Sequence, residues 1–456
     1  MKRLTLSNIA AACKGELYGL NDNNKYIEAT CVEIDSRKVI SGGIFIATKG
    51  ERVDGHDFIA QVAQKEALGV VCEKAPTDCD IPYVLVKDSF QALKDIAAFY
   101  RDGFEIPVIG ITGSVGKTST KEFIAGTLSA KYNVCKTQGN FNNEVGMPLT
   151  LLSVRENHEI AVVEMGISDF GEMTRLTSIA KPDTCVITNI GQCHLENLVD
   201  RDGVLRAKTE IFQSMNHDGQ VYVNGDDDKL CTVNKPWNKV ILHYGLNENN
   251  EIYATDIVNM GLRGSKAKAH VGETSFDIHV PLPGIHMVYN ALVSVAIAKE
   301  YGLSEEEIIR GVESVKATAG RSNILTTSKY ILIDDCYNAN PVSMKAAVDL
   351  LSMSDCRKVA ILGDMFELGE KEKDLHFGVG EYAAANGVEC LVCVGELSKS
   401  MADGARTNNA ELELYYYSTV DECLDSLKDI LKENDSILVK ASHGMHFERI
   451  VEFLKD

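Results

Sequence analysis

Residues 110–120 read GITGSVGKTST. A glycine turn ending in Gly-Lys-Thr carries phosphate chemistry. The glycines let successive N–H groups point at phosphate oxygens, the lysine brings a charge, and the hydroxyl after it suits Mg²⁺. The spelling departs from the usual loop, in which Gly and four residues precede Gly-Lys-Ser/Thr. Here that first position falls on Ile111, and the glycines are Gly110, Gly113 and Gly116, three apart. The setting is right for phosphate. PVIGIT reads as a buried strand and TKEFIAGTLSAKY as an amphipathic helix, whose positive end would face an anion. An ordinary glycine-rich strand–helix turn is the competing reading, and the Gly-Lys-Thr-Ser run speaks against it. Gly113, Ser114, Val115, Gly116, Lys117, Thr118 and Ser119 are therefore candidate nucleotide contacts, with Lys117 on the β- and γ-phosphates and Thr118 on Mg²⁺.

Further polar groups must say what the nucleotide is used for. Glu164 ends the strand-like EIAVVEMG, and His194 follows TCVITNIG. Both fall at carboxyl ends of expected parallel strands, where ligands of such sheets sit. Singly, each reads equally well as a solvated loop residue or a cap. Beside the glycine loop, they read better as a metal site, although His is an unusual Mg²⁺ ligand. Lys208 lies in LRAKTEIF, where a lone helical lysine is ordinarily solvent-facing. Two nearby cations would depress its pKa, and a neutral amine takes up CO₂ to form a carbamate.

Alternating strands and helices must position these groups. Residues 1–105 mix short strands and helices. From Pro107 the chain alternates PVIGIT, helix, EIAVVEMG, helix, TCVITNIG and the helix DGVLRAKTEIFQSM, the pattern of a parallel sheet covered on both faces. Short strands fill 239–280, and two helices follow. Past Gly320 the alternation restarts with KYILIDD, KVAILGD, CLVCVG, LYYYS and SILVKAS, a smaller doubly wound unit. The expectation is an α/β chain of three domains: residues 1–105, a central phosphate-loop domain 106–319, and a Rossmann-like domain 320–456. Its 456 residues agree with that number at about 150 per domain.

Composition narrows the function. The chain is 45% hydrophobic and 25% charged, with a net charge of −20. That balance argues against broad contact with nucleic acid or an anionic membrane, yet leaves room for a locally positive pocket. No run approaches the about 20 apolar residues of a membrane span. MKRLTLSNIAAAC is read as a first helix and not a secretory signal, because its apolar part is short and carries Thr5, Ser7 and Asn8. The 13 scattered cysteines read as reduced thiols of a cytoplasmic protein, and Cys390 and Cys393, in CLVC, as strand core rather than a metal pair.

Six runs together carry a resemblance: TGSVGKTST, QGNFNNEVGMPLTLL, AVVEMG, NIGQCHLENL, RAKTEIF and GIHMVYNALVSVAIA. In this order they resemble the Mur ligases, ATP-dependent amide-bond ligases of bacterial peptidoglycan synthesis, over nearly the whole chain. The three-residue glycine spacing is a trait of that family. The N-terminal DSRKVISGGIFIATKGERVDGHDF resembles the nucleotide-sugar domain of its later members. IDDCYNANPVSM and ILGDMFELGE resemble the member that adds D-alanyl-D-alanine to UDP-N-acetylmuramoyl-tripeptide, and the DNPR signature of diaminopimelate-adding members is absent.

The resemblance implies roles. Lys117 meets the transferred phosphate, and Thr118, Glu164 and His194 take Mg²⁺. Lys208, carbamylated, reaches a second Mg²⁺. Asn290 lies near adenine, Arg321 near the phosphates, and Asp335, Tyr337 and Asn338 near ribose and base. Ser36, Arg37, Lys49, Gly50, Asp54 and His56 take the uridine diphosphate, and Asn140 and Asn143 face the sugar-peptide. Lys440 and Ser442 lie near the dipeptide, in a VKASH run where the family usually has Gly and Arg around the serine. The implied protein is a cytoplasmic bacterial monomer that activates a carboxylate as an acyl phosphate, with its C-terminal domain closing on ATP. The alternatives are a ligase of the same superfamily that adds a free amino acid, or an ATP-binding regulator that makes no bond.

Overall fold

The computed structural model describes every residue except 23, 78, 217, 234–238 and 456. Its strands are β1 (Glu16–Tyr18), β2 (Val32–Glu33), β3 (Ile44–Ile46), β4 (Gly69–Cys72) and β5 (Tyr83–Leu85), then β6 (Val108–Thr112), β7 (Val134–Lys136), β8 (Ile160–Glu164), β9 (Thr184–Ile187), β10 (Gln220–Asn224), β11 (Ile241–Gly245), β12 (Ile252–Asn259), β13 (Ser265–Val271) and β14 (Thr274–Val280). The last set is β15 (Asn323–Thr326), β16 (Ile331–Asp334), β17 (Lys358–Gly363), β18 (Cys390–Val394), β19 (Glu413–Tyr417) and β20 (Ser436–Lys440).

They form three sheets, ordered β1-β5-β4-β3-β2, then β14-β13-β12-β11-β10-β9-β6-β8-β7, then β15-β16-β20-β17-β18-β19. The first is parallel apart from β1. It is tied to the second by helix Ser89–Arg101, which starts where the Asp88 carboxylate accepts the Gln91 N–H at 2.9 Å. At its far end Tyr100 donates to the Val154 carbonyl at 2.7 Å, and Arg101 Nε to that of Ala180 at 2.7 Å. One apolar cluster accordingly runs from Leu4 to Leu230.

In the second sheet β6 to β12 are parallel and β12, β13 and β14 antiparallel. β6, β8 and β9 are buried at every position, which is why they read as unbroken apolar runs rather than alternating ones. β6 lies between β8 and β9, so the loops leaving β6, β8 and β9 meet at one end of the sheet, the crevice where ligands of open α/β sheets bind. The third sheet is parallel apart from β15 and carries one apolar cluster on each face.

Two expectations meet the structure differently. Cys390 and Cys393 are buried strand residues, and all 13 cysteines are free thiols. DGVLRAKTEIFQSM is not one helix: it is helical over Arg201–Thr209 and tightens to a 3-10 turn at Glu210–Phe212. There the Glu210 carboxylate receives the Gly171 and Thr174 N–H groups at 3.3 and 3.2 Å and the Thr174 hydroxyl at 2.8 Å. It serves the start of the neighbouring helix Glu172–Ala180, a demand outside its own segment. Among the described residues, no helix is long and apolar enough to cross a membrane.

Candidate active site

The glycine loop leaves β6 at Thr112 and enters helix Lys117–Leu128 at Gly116. Its shape needs glycine. Gly113 has φ 149° and a Cβ there would lie 1.9 Å from Thr188 Oγ1, while Gly116 has φ 83°. Asn189 pins the turn, its carbonyl accepting the Ser114 N–H at 3.1 Å and its Oδ1 the Val115 N–H at 2.9 Å. The N–H groups that open the helix have no acceptor within it, and their residues, Gly116 to Ser119, line the cavity. Lys117 Nζ is parked on the Gly113 and Ser114 carbonyls at 2.7 and 3.5 Å. Burial pushes its pKa down, against the pull of the Glu164 carboxylate.

Glu164, at the end of β8, is 1% exposed. Its Oε2 accepts the Thr118 hydroxyl at 2.9 Å and its Oε1 the Asn142 amide at 2.8 Å. A buried carboxylate whose hydrogen-bond donors are neutral has room for a cation. His194, in the loop after β9, sits at φ 51°. Its Nδ1 lies 2.5 Å from Glu367 Oε2 of the C-terminal unit, off the line of a hydrogen bond. The imidazole holds the Glu367 carboxyl below its usual range. Among the described residues, no three His, Cys, Asp or Glu side chains are gathered for a metal. A Thr, Glu and His set fits Mg²⁺ only with phosphate oxygens and waters completing the shell, which is how Mg²⁺ is commonly held.

Lys208 is buried beneath the loop, at 1% exposure, and its pKa is pulled down to about 8. Burial is the main cause, and the Lys117 charge is a lesser one.

The cavity over the loop has a volume of about 660 Å³. Of the candidate residues it is lined by Ser114 to Ser119, Asn143, Glu164, His194, Asn290, Arg321, Asp335, Tyr337, Asn338 and Lys440. The central and C-terminal units thus share one site. Asn290 accepts the Thr120 hydroxyl at 2.9 Å, beside Gly116. The Arg321 guanidinium stacks 3.9 Å over the Tyr337 ring. Asp335 accepts the Ser322 N–H at 2.8 Å and pairs with buried Lys440 at 2.5 Å; Lys440 also donates to the Asn338 carbonyl at 2.9 Å.

Gly113, Lys208, Asn140 and Ser442 do not line the cavity, and neither do the candidates in the first unit. Ser442 is buried and its hydroxyl accepts the Phe366 N–H at 2.9 Å. Arg37 pairs with Asp35 and holds that carboxyl down at about 2. Ser36 donates to Gln61 at 3.3 Å. The Lys49–Asp54 bridge closes a turn that includes Gly50. His56 has both ring nitrogens engaged, Nδ1 with Asp54 at 2.6 Å and Nε2 with the Glu73 N–H at 2.9 Å. Sequence reasoning passed over Asn142, Asn189, His286 and Glu367. Asn142 stands between the two asparagines chosen from QGNFNNEVG, and nothing local marks it as the one on Glu164. His286 lines the cavity, and burial pushes its pKa down.

A phosphate loop at the strand ends of one α/β unit, roofed by an arginine and an aspartate from a second, defines a multidomain nucleotide-dependent enzyme. The comparisons narrow that class. The Mur ligase family catalytic domain matches residues 28–101, the Mur ligase middle domain 111–298, and the Mur ligase glutamate ligase domain 320–443. The UDP-N-acetylmuramoyl-tripeptide–D-alanyl-D-alanine ligase of Bacillus subtilis (strain 168) is 35% identical, over 100% of this chain and 99% of that protein. The crystal structure of MurF from Acinetobacter baumannii superposes with a TM-score of 0.89 at 32% identity, covering 99% of each chain. That of MurF from Thermotoga maritima in complex with ADP superposes with a TM-score of 0.81 at 28% identity, over 93% of this chain and 97% of the other. The chain belongs to the Mur ligase family.

Proposed function

We propose that this chain joins D-alanyl-D-alanine to UDP-N-acetylmuramoyl-tripeptide, with ATP cleaved to ADP and phosphate, in peptidoglycan precursor synthesis. One observation carries the reading: Lys117 of the central unit and Arg321 of the C-terminal unit line the same cavity, in a chain similar end to end to ligases of that name.

The tripeptide's terminal carboxylate attacks the γ-phosphorus of ATP, ADP leaves, and an acyl phosphate remains. The dipeptide amine then attacks the acyl carbon, phosphate departs with the carboxylate's oxygen, and the amine gives up its proton as the amide forms. The encounter brings together several anions, so its barrier falls with fixed positive charge. Lys117 turns from the loop carbonyls to the transferred phosphate, and the helix N–H groups hold the neighbouring phosphates. Arg321, braced on Tyr337, neutralises the same region from the other side. Asp335, kept in place by Lys440, accepts from the ribose hydroxyls. Lys440 thereby also acts on the nucleotide side. Docking of that unit keeps water from the acyl phosphate.

Thr118, Glu164 and His194 are the residues that would hold Mg²⁺, which supplies charge neutralisation on the phosphates. Lys208 is proposed as the carbamate that reaches a second ion: its neutral amine bonds to CO₂ and loses a proton. Arg37 and Lys49 are proposed on the uridine diphosphate, in a turn shaped by Asp54 and His56, and the Asn140–Asn143 loop on the sugar-peptide.

Mass spectrometry of the products from ATP, UDP-N-acetylmuramoyl-tripeptide and D-alanyl-D-alanine tests the proposal. One pentapeptide per ADP is expected. Incorporation of a free amino acid in place of the dipeptide, or phosphate release independent of the UDP-peptide, would overturn it.

A further inference from the structure

We infer that Glu367 is a positioning residue that acts through His194, so that the metal side of the site is complete only while the C-terminal unit is docked. The inference rests on the proposed metal role of His194. His194 follows β9 of the central sheet and Glu367 follows β17 of the third, and their side chains meet at 2.5 Å. Both are non-glycine residues in the left-handed region, His194 at φ 51° and Glu367 at φ 61°. That backbone is unfavourable for a residue with a Cβ and persists where surroundings enforce it. Here it occurs on both sides of one contact. The two segments are also neighbours beyond this pair: a Cβ on Gly369 would lie at van der Waals distance, 3.7 Å, from the Glu196 nitrogen.

Stability is a poor explanation for the pair. The Glu367 side chain is 57% exposed, and exposed ion pairs contribute little. Orientation is a better one. The contact as it stands is off the hydrogen-bond line, and a small turn of the imidazole lets Nδ1 donate to the carboxylate; that keeps the proton on Nδ1 and leaves the Nε2 lone pair for a ligand, the arrangement common behind metal-bound histidines. His194 lines the cavity with Lys117, Thr118 and Glu164. The C-terminal unit thus contributes Arg321 to the cavity and, through Glu367, sets the imidazole that lines it.

The test uses the full chain with ADP and Mn²⁺ as the probe, its binding read by electron paramagnetic resonance. Glu367→Ala is expected to weaken Mn²⁺ binding about 10-fold, with Glu367→Gln in between and ADP affinity without metal unchanged. Because Glu367 is exposed, both variants should keep the parent melting temperature. Mn²⁺ binding that is unchanged or tighter in Glu367→Ala would overturn the inference. Glu164→Gln separates the two readings. If it weakens Mn²⁺ while Glu367→Ala does not, only the positioning role fails; if neither weakens it, the metal reading fails as well.

Discussion

Burial lowers the proton affinity of Lys117 and Lys208 alike, but only Lys117 has carbonyl partners within its loop. Lys117 is therefore held by its own loop at the cavity, and Lys117→Ala should reduce ligation by about 10²- to 10³-fold with an unchanged circular dichroism spectrum. Undiminished ligation would remove the loop from the chemistry. For Lys208, an ordinary lysine value near 10.5 falls to about 8 in the fold. Between those values the unfolded chain binds more protons, so stability rises with pH from about 8 to about 10.5. Below pH 8 the cost is complete, on the order of 3 kcal/mol. In CO₂-free buffer, Lys208→Met should raise the melting temperature at pH 7 and lose that advantage by pH 10.5. An equal gain at both pH values would mean that protonation of the buried amine is not its source.

Helix Lys117–Leu128 packs on helix Ile285–Glu300 and closely on helix Glu305–Glu313. A Cβ on Gly311 would lie 2.6 Å from both Cα and the carbonyl oxygen of Thr127, backbone atoms that yield only if a helix shifts. Gly311→Ala should cost about 1–3 kcal/mol, read as a lower melting temperature, and should weaken ATP binding because the loop moves with its helix. Elements at this scale were largely legible in the sequence. β6, β8 and β9 announce themselves because strands buried on both faces are continuously apolar, and the glycine loop because its spacing is local. The end of helix Arg201–Thr209 was not legible, because Glu210 answers to Thr174 on another helix. Nor was the part of Asn142, which depends on where β8 delivers Glu164, or that of Glu367, whose partner lies in another domain. Charge state was least visible of all: nothing in LRAKTEIF says that Lys208 is buried.

Across the whole molecule, a chain of net charge −20 gathers Lys117, Arg321 and Lys440 at one cavity between two units. The contacts joining those units are local, including His194 with Glu367 and the Asn259 amide with Met353 Sδ at 3.6 Å. Units held this way are expected to move. Small-angle scattering should show a larger radius of gyration for the free protein than with an ATP analogue and UDP-peptide together; identical curves would exclude closure. The central claim, that the cavity serves to put a phosphoryl group on a carboxylate, is tested most directly with tripeptide labelled with ¹⁸O in its terminal carboxylate. One ¹⁸O in each phosphate released during ligation is the expected result. Amide product accompanied by unlabelled phosphate would contradict it.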